Sequence, residues 1–193
     1  MSKGSNLLLG VEDFLRNRIP DFDDRLDLKD TPGRVCNALF EMTSGHNYTE
    51  GDVKQLLRLF PVSCDEMVLV RGIQFASLCE HHMMPFFGEA HVAYLPDPER
   101  GVVGLSKLAR LVNVYAKRLQ VQERLTVDIT GALERYVTTR GAACVIRATH
   151  GCMSCRGVYQ PMADTITSSL TGHFRNPEVR AELLSLIGDL RRA

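Results

Sequence analysis

Two clusters of metal-ligating side chains constrain this chain more than any other feature. Cys79-Glu-His-His82 carries one thiol and two imidazoles, and some seventy residues later Thr149–Gly157 reads THGCMSCRG, with His150, Cys152, Cys155 and Arg156. Thiolate and imidazole are donors that zinc prefers, so a fold that uses both clusters must bring two distant segments to one point. The flanking sequence shows how. Met67–Ser77 (MVLVRGIQFAS) and Glu89–Pro96 (EAHVAYLP) follow a period of two, which predicts strands on either side of a turn region Cys79–Gly88. Ala142–Gly157 (AACVIRATHGCMSCRG) reads as a buried strand running into the second cluster.

Elsewhere the period is helical. Leu7, Leu8, Val11, Phe14 and Leu15 share one face, and Thr31 and Pro32 are placed to cap and open a helix through Val35, Leu39 and Met42. A shorter pattern, Val53, Leu56, Leu57 and Phe60, stops at Pro61. Ser106 is the expected cap of a helix carrying Leu108, Leu111, Val112 and Tyr115. Another helix runs through Leu125, Ile129, Leu133 and Tyr136 until Gly141, and Asn176–Pro177 opens a closing helix. Helices, two strands, two helices, strands and a helix make an α+β order, because strands and helices do not alternate regularly. The division expected is a helical region over 1–62 and a second domain, holding both clusters, over 63–193.

Composition narrows the function. Lys+Arg and Asp+Glu both number 23 among 193 residues, so no overall field attracts nucleic acid or an acidic membrane surface. No segment is apolar enough to span a bilayer, and the N-terminal residues meet Glu12 and Asp13 too early for a signal peptide. Six cysteines in such a chain read as cytoplasmic thiols rather than a disulfide framework, with Cys36 and Cys144 as small buried hydrophobes.

Taken together, Cys79, a histidine of the first cluster, Cys152 and Cys155 could close a structural Cys₃His site. The strand period argues for another arrangement. If residues 149–156 are extended, His150, Cys152, Ser154 and Arg156 share one face while Cys155 points away. Cys79, one histidine and Cys152 then leave a coordination position open, which is the mark of a catalytic site. On that face His150 is suited to proton transfer and Arg156 to an oxyanion. Ser106, Lys107 and Arg110 stand at a helix start, where free N–H groups already favour an anion. Gln122 and Glu123 could match the amide and amine edge of a guanine.

These motifs together, SLCEHHMMPFFGEAHVAYLP, GLSKLARLV, QVQERLT and HGCMSCRG in this order, resemble the zinc-dependent branch of the GTP cyclohydrolase I family over most of the chain, from Asp27 to Phe174. The resemblance implies the tunnelling fold, an antiparallel sheet with helices on one face, preceded by an N-terminal helical region and assembled into a homodecamer. It implies conversion of GTP to 7,8-dihydroneopterin triphosphate with release of formate. Cys79, His82 and Cys152 match the Zn²⁺ ligands, and His81 and His150 the catalytic histidines. Glu123, with Gln122, matches the guanine-binding position. Ser106, Lys107, Arg110 and Arg156 match the triphosphate contacts, with Arg34 reaching in from a neighbouring subunit. Asn37 stands where the family often has lysine, and Gly151 where it often has a bulkier residue. Two other readings compete: a closed zinc module that uses Cys155, and a related nitrile reductase with a cysteine nucleophile, which leaves the paired histidines without a role.

Overall fold

The computed structural model describes residues 3–188. They form two compact units, divided between Thr43 and Ser44. The first holds α1 (Lys3–Arg18) and α2 (Thr31–Met42), joined by short 3-10 turns at Phe22–Asp24 and Leu26–Leu28. Helix α1 follows the predicted spacing. Helix α2 starts one residue earlier than expected: Asp30 occupies the cap position without a side-chain bond, and Thr31 is already helical. Pro32 is tolerated there because the first-turn N–H groups have no helical partner to lose.

In the second unit a 3-10 turn (Ser44–Asn47) and α3 (Glu50–Leu56) precede β1 (Leu59–Phe60), β2 (Val68–Cys79) and β3 (Pro85–Pro96). Then come β4 (Val102–Val103), α4 (Leu105–Ala116), β5 (Leu119–Gln120), α5 (Gln122–Tyr136) and β6 (Thr139–His150). The four-residue α6 (Gly151–Ser154), β7 (Thr165–Leu170), a 3-10 turn (Gly172–Arg175) and α7 (Pro177–Ile187) complete it. Thr49 starts α3 with a capping box, its hydroxyl accepting from the Asp52 N–H while the Asp52 carboxylate accepts from the Thr49 N–H. The expected helix through Phe60 ends at Leu56 instead, because Leu59 and Phe60 pair with Val103 and Val102. Helix α4 also starts earlier than predicted: Gly104 is the cap and Ser106 lies inside the first turn.

Five strands form one sheet in the order β5-β2-β3-β6-β7. The expected purely antiparallel sheet needs correction, since the two residues of β5 run parallel to the end of β2, pairing Leu78 with Leu119 and Cys79 with Gln120. Helices α4 and α5 cover one face through Leu108, Leu111, Val112, Leu125, Ile129 and Leu133, packed on Val92, Tyr94, Cys144 and Ile146. The expectation of helices on one face alone is also corrected. Ala93, Ala143 and Val145 point the other way and are covered by Phe174, Leu183 and Ile187 of the last 3-10 turn and α7. Alternation makes this necessary: Val92 and Ala93 are both 0% exposed, so the central strands bury both faces and need cover on both. Burying each large apolar side chain contributes about 1.5–3 kcal/mol, which holds the strand ends that carry the site. Among the described residues no helix is long and apolar enough to cross a membrane.

Candidate metal centre

Three strand ends and one helix start meet at the site. Cys79 is the last residue of β2; its N–H donates to the Met84 carbonyl at 2.9 Å, and its own carbonyl accepts from the Met83 N–H at 2.8 Å. The resulting tight turn puts Met83 in the left-handed region, at φ 51°. It is tied to α5 from outside. The Glu80 N–H donates to the Gln120 carbonyl at 3.0 Å, and Arg124 bridges the Glu80 carboxylate, the Gln120 side-chain oxygen and the Leu119 carbonyl. Arg124 also holds the exposed Glu80 carboxyl below its ordinary pKa, chiefly through that hydrogen bond. Neither residue figures among the expected site residues, because nothing in the sequence links Glu80 to a position 44 residues later.

From the other side β6 pairs with β3 up to His150, which faces Phe86 in register. The chain then turns into α6 rather than continuing as a strand. Gly151 rests so close to β3 that an added Cβ would lie 2.8 Å from the Pro85 carbonyl oxygen. The Ser154 hydroxyl closes the turn by donating to the His150 carbonyl at 3.0 Å. The expected extended run over 149–156 is therefore wrong from Gly151 on, and the alternation that set Cys152 apart from Cys155 does not apply.

The cluster nevertheless has the composition that alternation suggested. Donor atoms of Cys79, His82 and Cys152 all lie within 4.8 Å of one another, and Cys155 is exposed and not among them. The Cys79 sulfur and His82 Nδ1 are 3.8 Å apart, against roughly 3.5 Å for two such donors on a tetrahedral zinc at ordinary bond lengths. Two thiols and an imidazole at this spacing fit zinc and leave a fourth position open. Burial first, and then the neighbouring Cys79 thiol, push the Cys152 pKa up; a cation between them removes that penalty by holding both as thiolates.

His150 stands two residues from Cys152, half-buried, with its ring stacked on Phe86 at 4.7 Å between centroids and 5° between planes. Its Nε2 lies 2.7 Å from the Gln122 side-chain oxygen. Burial lowers the His150 pKa, and the negative charge of Glu123 opposes the shift. Glu123 is exposed in the first turn of α5, next to the buried Gln122. His81 projects outward, 64% exposed, with Nε2 3.7 Å from Glu80. The stacking by Phe86 was missed in the sequence, where Phe86 sits inside the turn region and only the β3–β6 register reveals its partner.

The expected phosphate contacts are placed less closely. Ser106 and Arg110 are exposed and Lys107 is half-buried along the first turns of α4, whose N-terminus has no side-chain cap and no acidic residue. Lys107 lines a hollow with Asp52, Arg58 and Phe60, and Arg110 lines another with Gly45, Tyr48 and Lys117. Neither hollow includes a residue of the Cys–His–Cys cluster or His150. Arg156 is exposed beyond α6. Arg34, in the first unit, is exposed with its guanidinium 3.4 Å from Asp30.

Comparison with known proteins meets this geometry directly. A family model described as GTP cyclohydrolase I matches residues 10–188. GTP cyclohydrolase 1 of Streptomyces avermitilis is 49% identical over 164 residues, covering 85% of this chain and 81% of the relative. The protein of that name from Bifidobacterium longum is 50% identical over 176 residues, covering 91% and 86%. The one from Chlorobaculum tepidum is 51% identical over 162 residues, covering 82% and 70%. With its Cys–His–Cys cluster and neighbouring histidine on the matched segment, the chain belongs to the GTP cyclohydrolase I family.

Proposed function

We propose that the chain hydrolyses the imidazole ring of the guanine in GTP, giving 7,8-dihydroneopterin triphosphate and formate, with zinc held by Cys79, His82 and Cys152. The observation that carries this reading is the convergence of those three donors within 4.8 Å, with His150 two residues before Cys152 in the chain. Bound there, zinc supplies Lewis acidity and lowers the pKa of water at its open position.

The chain's own groups do the rest. Glu123, exposed at the start of α5, accepts from the amide and amine edge of guanine. Ser106, Lys107, Arg110 and Arg156 hold the triphosphate, and an uncapped α4 N-terminus without acidic residues supports that role. His150 donates a proton to N7, which makes C8 electrophilic toward water. Ring opening leaves a formyl group, a second hydrolysis releases formate, and the opened ribose rearranges and closes the pterin ring. His81, exposed beside Glu80, serves as a second proton-transfer group. Arg34 reaches the triphosphate of a neighbouring subunit, so the working form is a homo-oligomer, a decamer by the family resemblance. The six cysteines are free thiols, which suits a reducing cytoplasm.

The test is direct. Purified zinc-loaded protein incubated with GTP should release one formate per pterin, read by formate assay and pterin fluorescence. Zinc-loaded, folded protein that leaves GTP intact sinks the reading.

A further inference from the structure

Gln122 is 1% exposed at the first position of α5, and every polar atom of its carboxamide is engaged. Its Nε2 donates toward the Ile146 carbonyl at 3.1 Å, the Thr165 carbonyl at 3.0 Å and the Thr167 hydroxyl at 3.2 Å. Two of those partners are backbone carbonyls, which only accept. The nitrogen must therefore sit at that end, because the flipped amide would aim its oxygen at two other oxygens. The other end follows. The carboxamide oxygen, 2.7 Å from His150 Nε2, cannot donate, so Nε2 carries the hydrogen and donates to it.

From this clamp we infer that Gln122 is a positioning residue for His150, locking its ring with Nε2 protonated so that Nδ1 is the nitrogen that exchanges a proton with the substrate. The inference rests on the proton-transfer role proposed for His150. Phe86 fixes the plane of the ring from one side, and Gln122 fixes its rotation within that plane. Gln122 is in turn held by β7. Thr126 donates to the Gln122 backbone carbonyl at 2.7 Å, which uses its single hydroxyl proton. The 2.6 Å contact between Thr126 and Thr167 must then run from Thr167 to Thr126, leaving the Thr167 oxygen to accept from the Gln122 amide. A chain of directed hydrogen bonds thus runs from the edge strand β7 through Gln122 to His150. Turning the carboxamide toward a guanine would break it and take the amide donor away from the Ile146 and Thr165 carbonyls. Recognition of the guanine edge then falls to the exposed Glu123.

The experiment compares Gln122→Met, Thr167→Val, Thr167→Ser and His150→Ser as zinc-loaded oligomers, with zinc content and thermal unfolding measured on each. Gln122→Met should keep its zinc and its KM for GTP while kcat falls about 10–100-fold, the usual loss when the partner that orients a site histidine is removed. A raised KM with kcat intact would make Gln122 a guanine contact and overturn the inference. Thr167→Val, which leaves Gln122 and His150 themselves unchanged, should lose kcat in the same sense, and Thr167→Ser, which keeps the hydroxyl, should restore it. If Gln122→Met does not fold, this pair decides the matter: equal kcat in Thr167→Val and wild type rejects the clamp. His150→Ser separates the two levels. Full turnover in that variant removes the proton-transfer role and the inference with it, whereas its loss alongside an unimpaired Gln122→Met removes the inference alone.

Discussion

Three donors make up the candidate metal site, and mutation should separate the two cysteines among them from Cys155. Cys79→Ala or Cys152→Ala should abolish stoichiometric zinc and turnover, because the two ligands left hold zinc poorly. Cys155→Ser should keep zinc, since Cys155 is exposed and outside the cluster. Zinc analysis of the three purified variants checks this, and loss of zinc from Cys155→Ser would restore the closed site. Arg156 has a narrower expected effect. Arg156→Ala should weaken binding of GTP far more than binding of guanosine, since its guanidinium is assigned to phosphate alone; equal losses in calorimetric titrations would move it elsewhere. At this scale the sequence was legible through ligand chemistry and poorly legible through geometry. Cys79 and Cys152 stand out as soft donors in two clusters, yet alternation separates Cys155 from them only in an extended chain, and residues 151–154 are helical. Gly151 makes the difference: it lets the backbone close against Pro85 and begin a helical turn, a contact between segments that no local period records.

Among the elements, the β2–β3 hairpin stores a dependence on acid. Its register shifts between Val70 and Ile73, and there Gly72, at φ 70°, donates its N–H to His91 Nδ1 at 3.2 Å. His91 must be neutral at Nδ1 to accept. Burial lowers its pKa first; Arg71 lowers it further and Glu89, 3.9 Å from Nε2, opposes the shift. A histidine whose folded pKa lies below the unfolded value of about 6.5 binds fewer protons when folded, so stability is full above that value and falls as the pH drops below it. Denaturation midpoints at about pH 7.5 and 5.5 should therefore differ more for the wild type than for His91→Gln, which cannot take up the proton. Equal acid sensitivity in both proteins would clear His91 of the effect. The long strands and helices here were readable because their apolar residues repeat with a clean period. The two-residue β1, β4 and β5 were not, since pairs such as Leu59–Val103 and Cys79–Gln120 exist only through contacts with remote partners.

For the whole molecule, β7 is an edge of the five-stranded sheet, and Phe87, Val158, Tyr159, Met162 and Ile166 are large apolar side chains left exposed. An open edge and exposed apolar residues favour association with further copies. The role proposed for Arg34 on a neighbouring subunit predicts a substrate site that draws on more than one chain. Two variants, each expected to lose turnover, can report on that. His150→Ser removes the proposed proton donor, and Arg34→Ala removes the phosphate contact assigned to a neighbour. If each site pairs His150 of one subunit with Arg34 of the next, co-assembly of the two variants in equal amounts leaves about a quarter of the sites with both residues intact. Formate release should then return toward that fraction after the mixture is dissociated and reassembled. If both residues serve the site within one chain, every chain in the mixture carries one defect and no reassembly can restore turnover. A mixed oligomer as inactive as its parents therefore rejects the shared site, while the separate Arg34→Ala oligomer, assayed alone, shows how much activity that contact controls.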